Sequence, residues 1–262
     1  MAAQQPVVAG AEPFAADGTG VSGRIGVLVS HGFTGSPVSM RPWADRLAAA
    51  GYTVRLPLLP GHCTRWQDLN RTHWTDWYAE IRRAYAELDE RCDVIFGCGL
   101  SLGGALVLRL AEDLGPYAKL AGLAVVNPAI GTLRKDAALA KYLAWLVPSR
   151  PGLGNDIKKP GVDEYCYKRT PLKALVSMMQ MWRLIVADLD QIMVPVLMFR
   201  SQNDHVVDRL SGDLLLSRAI STTVTEVPLP DSYHVATLDN DAELIFSRTA
   251  EFIAEQARAV RT

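Results

Sequence analysis

A serine between glycines, an aspartate and a histidine stand in this chain where each can take part in one reaction. Gly99-Leu100-Ser101-Leu102-Gly103 is a Gly-x-Ser-x-Gly pentapeptide. A serine hydroxyl is a weak nucleophile until it is held clear of the backbone and within reach of a base. A sharp turn from a strand into a helix does this, and flanking glycines let strand and helix approach without colliding side chains. The helix then aims its first amides at the serine, so the Leu102 N–H is available to an oxyanion. Alone the pentapeptide is a weak signal, because a glycine-rich turn with a solvated serine reads the same way. Its context adds more: residues 94–96 are an apolar run without a helical stripe, and residues 105–113 return to helical periodicity.

Two later loops offer partners. The apolar stretch 195–200 runs into Ser201-Gln202-Asn203-Asp204-His205, and 223–229 into Pro230-Asp231-Ser232-Tyr233-His234. Asp204 is placed to orient a histidine and His234 to act as general base, with His205 as rival base and Asp208 and Asp231 as rival acids. Upstream, residues 24–30 lead into His31-Gly32-Phe33-Thr34-Gly35. Glycines there let the loop fold back over the strand end, so that the Phe33 amide faces the same point as the Leu102 amide. His31 reads more simply as a structural histidine of its own loop than as a catalytic one.

These residues require a scaffold that brings strand ends together. Strands over 24–30, 52–56, 94–96, 120–126, 195–200 and 223–229 alternate with helices starting at Ser36 or Ser39 and running to Ala50, over 105–113, and over 242–257. A long amphipathic stretch covers 66–89. That cadence predicts a mostly parallel, doubly wound α/β sheet with reactive groups at the carboxyl ends of the strands. It is interrupted between 129 and 190, where no clear strand appears. Helical segments over 137–147 and 172–186, rich in Trp145, Met178, Met179, Met181 and Trp182, flank a loop there. We read 129–190 as an inserted cap, 24–128 with 191–262 as the core, and 1–23 as a flexible or edge-strand leader without secretory-signal features. The cap's methionines fit an acyl chain or ordinary packing.

Composition narrows the function. A net charge of −1 without a Lys/Arg cluster argues against a nucleic-acid surface or a polyanionic substrate. No apolar run is long enough to span a bilayer. The four cysteines lack CxxC spacing, which fits reduced thiols in a cytoplasm-like compartment, with Cys98 packed as a small hydrophobe. His62 and His73 have no ligand-spaced partner, so no metal is expected.

The order Ser101, Asp204, His234 differs from those of chymotrypsin-like and subtilisin-like enzymes and is the one α/β-hydrolases use. HGFTG, GLSLGG, NDHVV and SYHVATLD closely resemble the signatures of the bacterial monoacylglycerol lipase and carboxylesterase group of α/β-hydrolases, and the likeness covers nearly the whole chain from about Arg24. The resemblance implies an α/β-hydrolase fold with a helical cap. It implies a serine hydrolase that cuts monoacylglycerols through an acyl-enzyme, without metal or organic cofactor. Within NDIKKPGVDEYCYKRTP it also implies that Glu164 contacts the glycerol part of the substrate; the residues alone read Glu164 as an exposed helix carboxylate. Because long-chain monoacylglycerols partition into bilayers and micelles, transient interfacial contact through the cap is expected. The alternatives are a general carboxylesterase for short acyl esters and, in another class, a non-catalytic small-molecule-binding member of the fold.

Overall fold

The structure is a computed structural model and describes residues 10–134, 142, 144–152 and 154–261. Its apolar runs become strands β1 (Phe14–Ala16), β2 (Ile25–Ser30), β3 (Thr53–Leu56), β4 (Val94–Leu100), β5 (Leu120–Val126), β6 (Ser149–Pro151), β7 (Arg169–Pro171), β8 (Val196–Ser201) and β9 (Val224–Leu229). Seven of them form one sheet in the order β1-β3-β2-β4-β5-β8-β9, in which β1 alone runs antiparallel. The helices are α1 (Arg41–Ala49), α2 (Trp66–Leu69), α3 (Trp74–Asp89), α4 (Leu102–Leu114), α5 (Leu172–Asp188), α6 (Leu210–Arg218) and α7 (Ala242–Arg261).

Both faces of the sheet are covered, as a parallel sheet requires. Period-two alternation divides each central strand between two cores. Leu28 and Ile95 join Trp77, Ile81, Leu106 and Met181 of α3, α4 and α5 on one face. Val27, Val29, Phe96 and Cys98 join Trp43, Leu47, Ile245 and Ile253 of α1 and α7 on the other.

The junction of β4 with α4 is tighter than the apolar run announces. β4 continues through two glycines to Leu100, and α4 begins at Leu102 with Gly103 and Gly104 inside it. The reason is close backbone approach. A methyl on Gly103 would stand 2.1 Å from the Ser30 carbonyl oxygen, and one on Gly99 2.4 Å from the Gly103 carbonyl carbon. Helix propensity, which counts glycine against a helix, places the start too late here.

Other departures also have tertiary causes. The stretch over 66–89 breaks into α2 and α3 at Asn70, whose Oδ1 accepts the Lys173 amide at 2.9 Å and whose Nδ2 donates to Pro148 O at 3.2 Å. The break fastens the start of α5 to the core. Between 129 and 190, contrary to the sequence reading, β6 and β7 pair as an antiparallel ribbon. Three-residue strands, each ending in proline, are too short to show alternation, and the Arg169 Nε to Ser149 Oγ bond at 2.7 Å reinforces them. Of the helix expected over 137–147, residues 137–141 and 143 lie outside the described residues, and 144–146 form a turn. The sequence reading contains no counterpart of α6. The leader's described part includes β1, an edge strand whose Phe14 lies under the Arg41 guanidinium.

Gly103→Ala is therefore expected to cost about 3 kcal/mol or more, the upper end for overpacking. Gly115→Ala, at φ 66 and ψ −172 with open space around it, is expected to cost about 1 to 3 kcal/mol from backbone strain alone. Denaturant midpoints compare the two, and equal losses would contradict the close-approach argument.

Candidate active site

Ser101 sits at the turn from β4 to α4 with φ 55 and ψ −116, a sparsely populated backbone region. Its surroundings hold it there. The Ser101 N–H donates to Val126 O at 3.0 Å, and its carbonyl accepts the Ala105 and Ala129 amides, each at 3.1 Å. β4 and β5 thus present the side chain at the carboxyl end of the sheet.

The structure brings Asp204 and His234 together from the loops after β8 and β9, with His234 Nδ1 2.7 Å from Asp204 Oδ2. Both side chains are buried. Asp204 Oδ1 accepts the Val206 and Val207 amides, each at 2.8 Å, so the carboxylate cannot rotate away. An anion facing Nδ1 favours the tautomer with its proton there, leaving Nε2 free to accept a proton. Burial opposes protonation of His234, but the Asp204 charge and hydrogen bond outweigh it, helped by Glu164 and Asp156, and its pKa is raised above 6.5.

The rivals are engaged elsewhere. His205 is exposed, with Nδ1 2.7 Å from Asp156 Oδ1. Asp208 accepts from Thr132 Oγ1 and the Leu133 and Leu210 amides. Asp231 pairs with Lys158 at 2.6 Å.

One supporting residue escaped the sequence reading. Asn127 follows β5 at φ 43, fully enclosed, and its Nδ2 donates to His234 O at 2.8 Å and to Ser201 Oγ at 2.9 Å. Its Oδ1 accepts the Ser201 amide, and Ser201 Oγ donates to Tyr233 O, each at 2.8 Å. A buried network of this kind fixes the backbone that carries the histidine. The signal available in sequence was an Asn-Pro pair directly after a core strand.

The loop after β2 closes the other side. A methyl on Gly32 would lie 3.5 Å from Ser101 Cβ, so this loop runs directly past the serine. His31 is structural: its Nδ1 donates to Gly32 O at 3.0 Å, its Nε2 accepts the Leu59 amide at 3.1 Å, and burial pushes its pKa down to about 4. The Phe33 ring packs on Trp77, which anchors the loop.

Ser101, His234, Phe33 and Glu164 line one cavity of about 300 Å³. Leu175, Met178, Trp182, Val206 and Val207 supply an apolar wall, whereas Met181 packs in the core and Trp145 is exposed. A second cleft, of about 470 Å³, reaches Asp204. It is lined by Arg200, Asp208, Asp213 and Glu226 and excludes both Ser101 and His234, which meet only in the first cavity among those described. Glu164 is buried and not helical, unlike the exposed helix carboxylate its residues alone imply. Its Oε1 accepts the Asn155 amide at 2.8 Å, its own amide donates to Asn155 Oδ1 at 2.9 Å, and Ser36 Oγ donates to its carbonyl. Among the described residues, no group of three His, Cys, Asp or Glu side chains is arranged to hold a metal ion.

Comparison with known proteins gives concordant results. The family model described as "Serine aminopeptidase, S33" matches residues 23–241. The chain is 41% identical to a thermostable monoacylglycerol lipase of Bacillus sp. (strain H-257), over 98% of this chain and 100% of that one. It is 24% identical to a carboxylesterase of Bacillus subtilis (strain 168), over 87% and 91%. A solved structure from work on the metagenome-derived lipolytic enzymes LipS and LipT superposes with a TM-score of 0.89 at 41% identity, covering 95% of this chain and 100% of that chain. A Paleococcus ferrophilus monoacylglycerol lipase, 21% identical, shares the fold at a TM-score of 0.73, covering 93% and 97%.

The geometry predicts a pH dependence of known sign. A serine attack needs neutral His234, and its pKa is raised above 6.5, so the rate of Ser101 phosphonylation by a fluorophosphonate is expected to fall on acidification with a midpoint above pH 6.5. Asp204→Asn is expected to slow it by about 10⁴-fold at neutral pH, through the wrong tautomer. A midpoint below pH 6.5 would contradict the charge balance at His234, and a modest effect of Asp204→Asn would contradict its assignment as the orienting acid.

Proposed function

Because the chain belongs to the α/β-hydrolase family described as "Serine aminopeptidase, S33", we propose that it is a serine ester hydrolase that cleaves monoacylglycerols to glycerol and fatty acid. In this reading Ser101 Oγ attacks the ester carbonyl carbon while His234 Nε2 takes the hydroxyl proton. Asp204 holds the imidazole and stabilises its charge. The Phe33 and Leu102 amides meet the oxyanion of the tetrahedral intermediate, each such donor being worth about 10²- to 10³-fold in rate. Collapse expels glycerol with the proton from His234, and water repeats the sequence on the acyl-enzyme. No metal or organic cofactor takes part.

The single observation that carries the substrate is the composition of the cavity. A buried carboxylate, Glu164, shares it with an apolar wall built from Leu175, Met178 and Trp182. An anionic acceptor for hydroxyls and an apolar surface for a chain match the two halves of a monoacylglycerol. The family description includes peptidases, but a 41% identical relative matched along its whole length is a lipase, which supports ester over amide substrates. A carboxylesterase for short acyl esters would use the same triad, and the Bacillus subtilis relative favours that second reading.

Residues 129–190 serve in this reading as a cap over the site, with 24–128 and 191–262 as the core. Tyr142, Trp145 and Leu146 expose large apolar surface there, which supports transient contact with a lipid interface. No helix of the described residues is long and apolar enough to cross a membrane.

Glu164→Ala is expected to lower kcat/KM for monoacylglycerols by about tenfold or more, the loss of charge-assisted hydrogen bonds, and to spare simple alkyl esters, with Ser101→Ala as the blank. If both substrate classes respond alike, the carboxylesterase reading replaces the lipase reading. Flotation with phosphatidylcholine vesicles is expected to carry the parent protein but not Trp145→Ser/Leu146→Ser; equal behaviour would dismiss the interfacial role.

A further inference from the structure

We infer that Asp156, which lies in the cap, is a positioning residue for the base: its carboxylate ties together the loops that present Asp204 and His234. The inference rests on reading Ser101, Asp204 and His234 as the triad. Asp156 Oδ2 accepts the His234 amide at 3.1 Å and the His205 amide at 3.2 Å. Its Oδ1 takes the His205 ring at 2.7 Å, and its own carbonyl accepts the Val235 amide at 3.1 Å. The two amides sharing Oδ2 come from separate loops, those after β8 and β9. They are the amide of the residue next to the triad acid and that of the base itself. The Asp156 side chain is largely withdrawn from solvent, where charge-assisted bonds to amides are strong.

The peptide units of His234 are thereby held from two sides. Asn127 on the core takes its carbonyl, and Asp156 on the cap takes its N–H. The same stretch of cap is fastened a second time by Asp239, which accepts the Lys158, Lys159 and Tyr233 amides. A cap segment tied this firmly to the histidine loop belongs to the catalytic frame as well as to the substrate cavity.

Position and charge make separable contributions. The charged groups acting on His234 are Asp204, Glu164 and Asp156, and those facing His205 are Asp156 with the Tyr233 ring edge-on at 4.6 Å. Asp156→Asn keeps the shape: its oxygen still accepts both amides, and its NH₂ donates to the His205 ring in the other tautomer. It removes one of three anions that favour the charged imidazole. Asp156→Ala removes tether and charge together.

The test is kcat and KM for a monoacylglycerol per active site, titrated with a phosphonate, across pH. Asp156→Ala is expected to lose about tenfold or more in kcat, the cost of a displaced base, with KM near the parent value. Asp156→Asn is expected to recover most of the plateau kcat, with its acid limb moved to lower pH. A merely structural role would reduce the number of titrated sites and leave kcat per site unchanged. The inference is overturned if Asp156→Ala keeps the parent kcat per titrated site or, should that variant not fold, if Asp156→Ser, whose shorter side chain cannot bridge both loops, keeps it. Failure of the triad itself would show separately, as ester turnover surviving in Ser101→Ala or His234→Ala.

Discussion

The geometry of the candidate site depends on three stretches of backbone meeting with no side chain between them. Gly103 rests on the Ser30 carbonyl, and Gly99 rests on Gly103. That contact draws the start of α4 down between the ends of β2 and β4, forcing the intervening serine into its strained conformation. It also sets the loop after β2 against the serine, since that loop begins where Ser30 ends. Ser101 and the segment carrying the Phe33 amide are thus placed by one packing event. The strain at φ 55 is maintained by hydrogen bonds to β5 and α4 rather than by anything Ser101 itself contributes.

The histidine side of the site is built differently. No steric clamp holds it; buried polar side chains do. Asn127, Ser201, Asp204 and Asp156 each satisfy backbone groups of loops that could not otherwise be withdrawn from water. A buried amide without a partner costs about 1 to 3 kcal/mol. These side chains therefore shape the loops by giving each amide and carbonyl one satisfactory address. The electrostatic result is that the charges of three carboxylates act on His234, which offsets the penalty that burial alone imposes on an imidazolium.

How much of this was legible in sequence follows from the range of the interactions. The strands β2, β5, β8 and β9 and the helix α7 were readable because their apolar runs follow local periodicity. The order of Ser101, Asp204 and His234 was readable because each follows such a run. The length of β4 and the start of α4 were not, because glycines that look like helix breakers are there for a contact made with Ser30, far away in sequence. The break at Asn70 is set by α5, about a hundred residues on. Asn127 and Asp156 look like ordinary polar loop residues, since their partners are amides of distant loops and carry no side-chain signature. Glu164 reads as exposed because nothing local tells of the Asn155 and Ser36 contacts that enclose it.

The Asn127 network has a consequence for the order in which the protein comes to life. Its members are drawn from positions 127, 201 and 233–234, so it closes only after β5, β8 and β9 have docked side by side. Contacts this remote along the chain cost loop-closure entropy, as does the Ser30–Gly103 contact at the elbow. A chain in which β8 or β9 has not docked lacks the network that holds His234 in the Ser101 cavity. With Ser101 and His234 in the roles proposed above, hydrolysis requires the completed sheet, and turnover per molecule gauges how many chains have finished it.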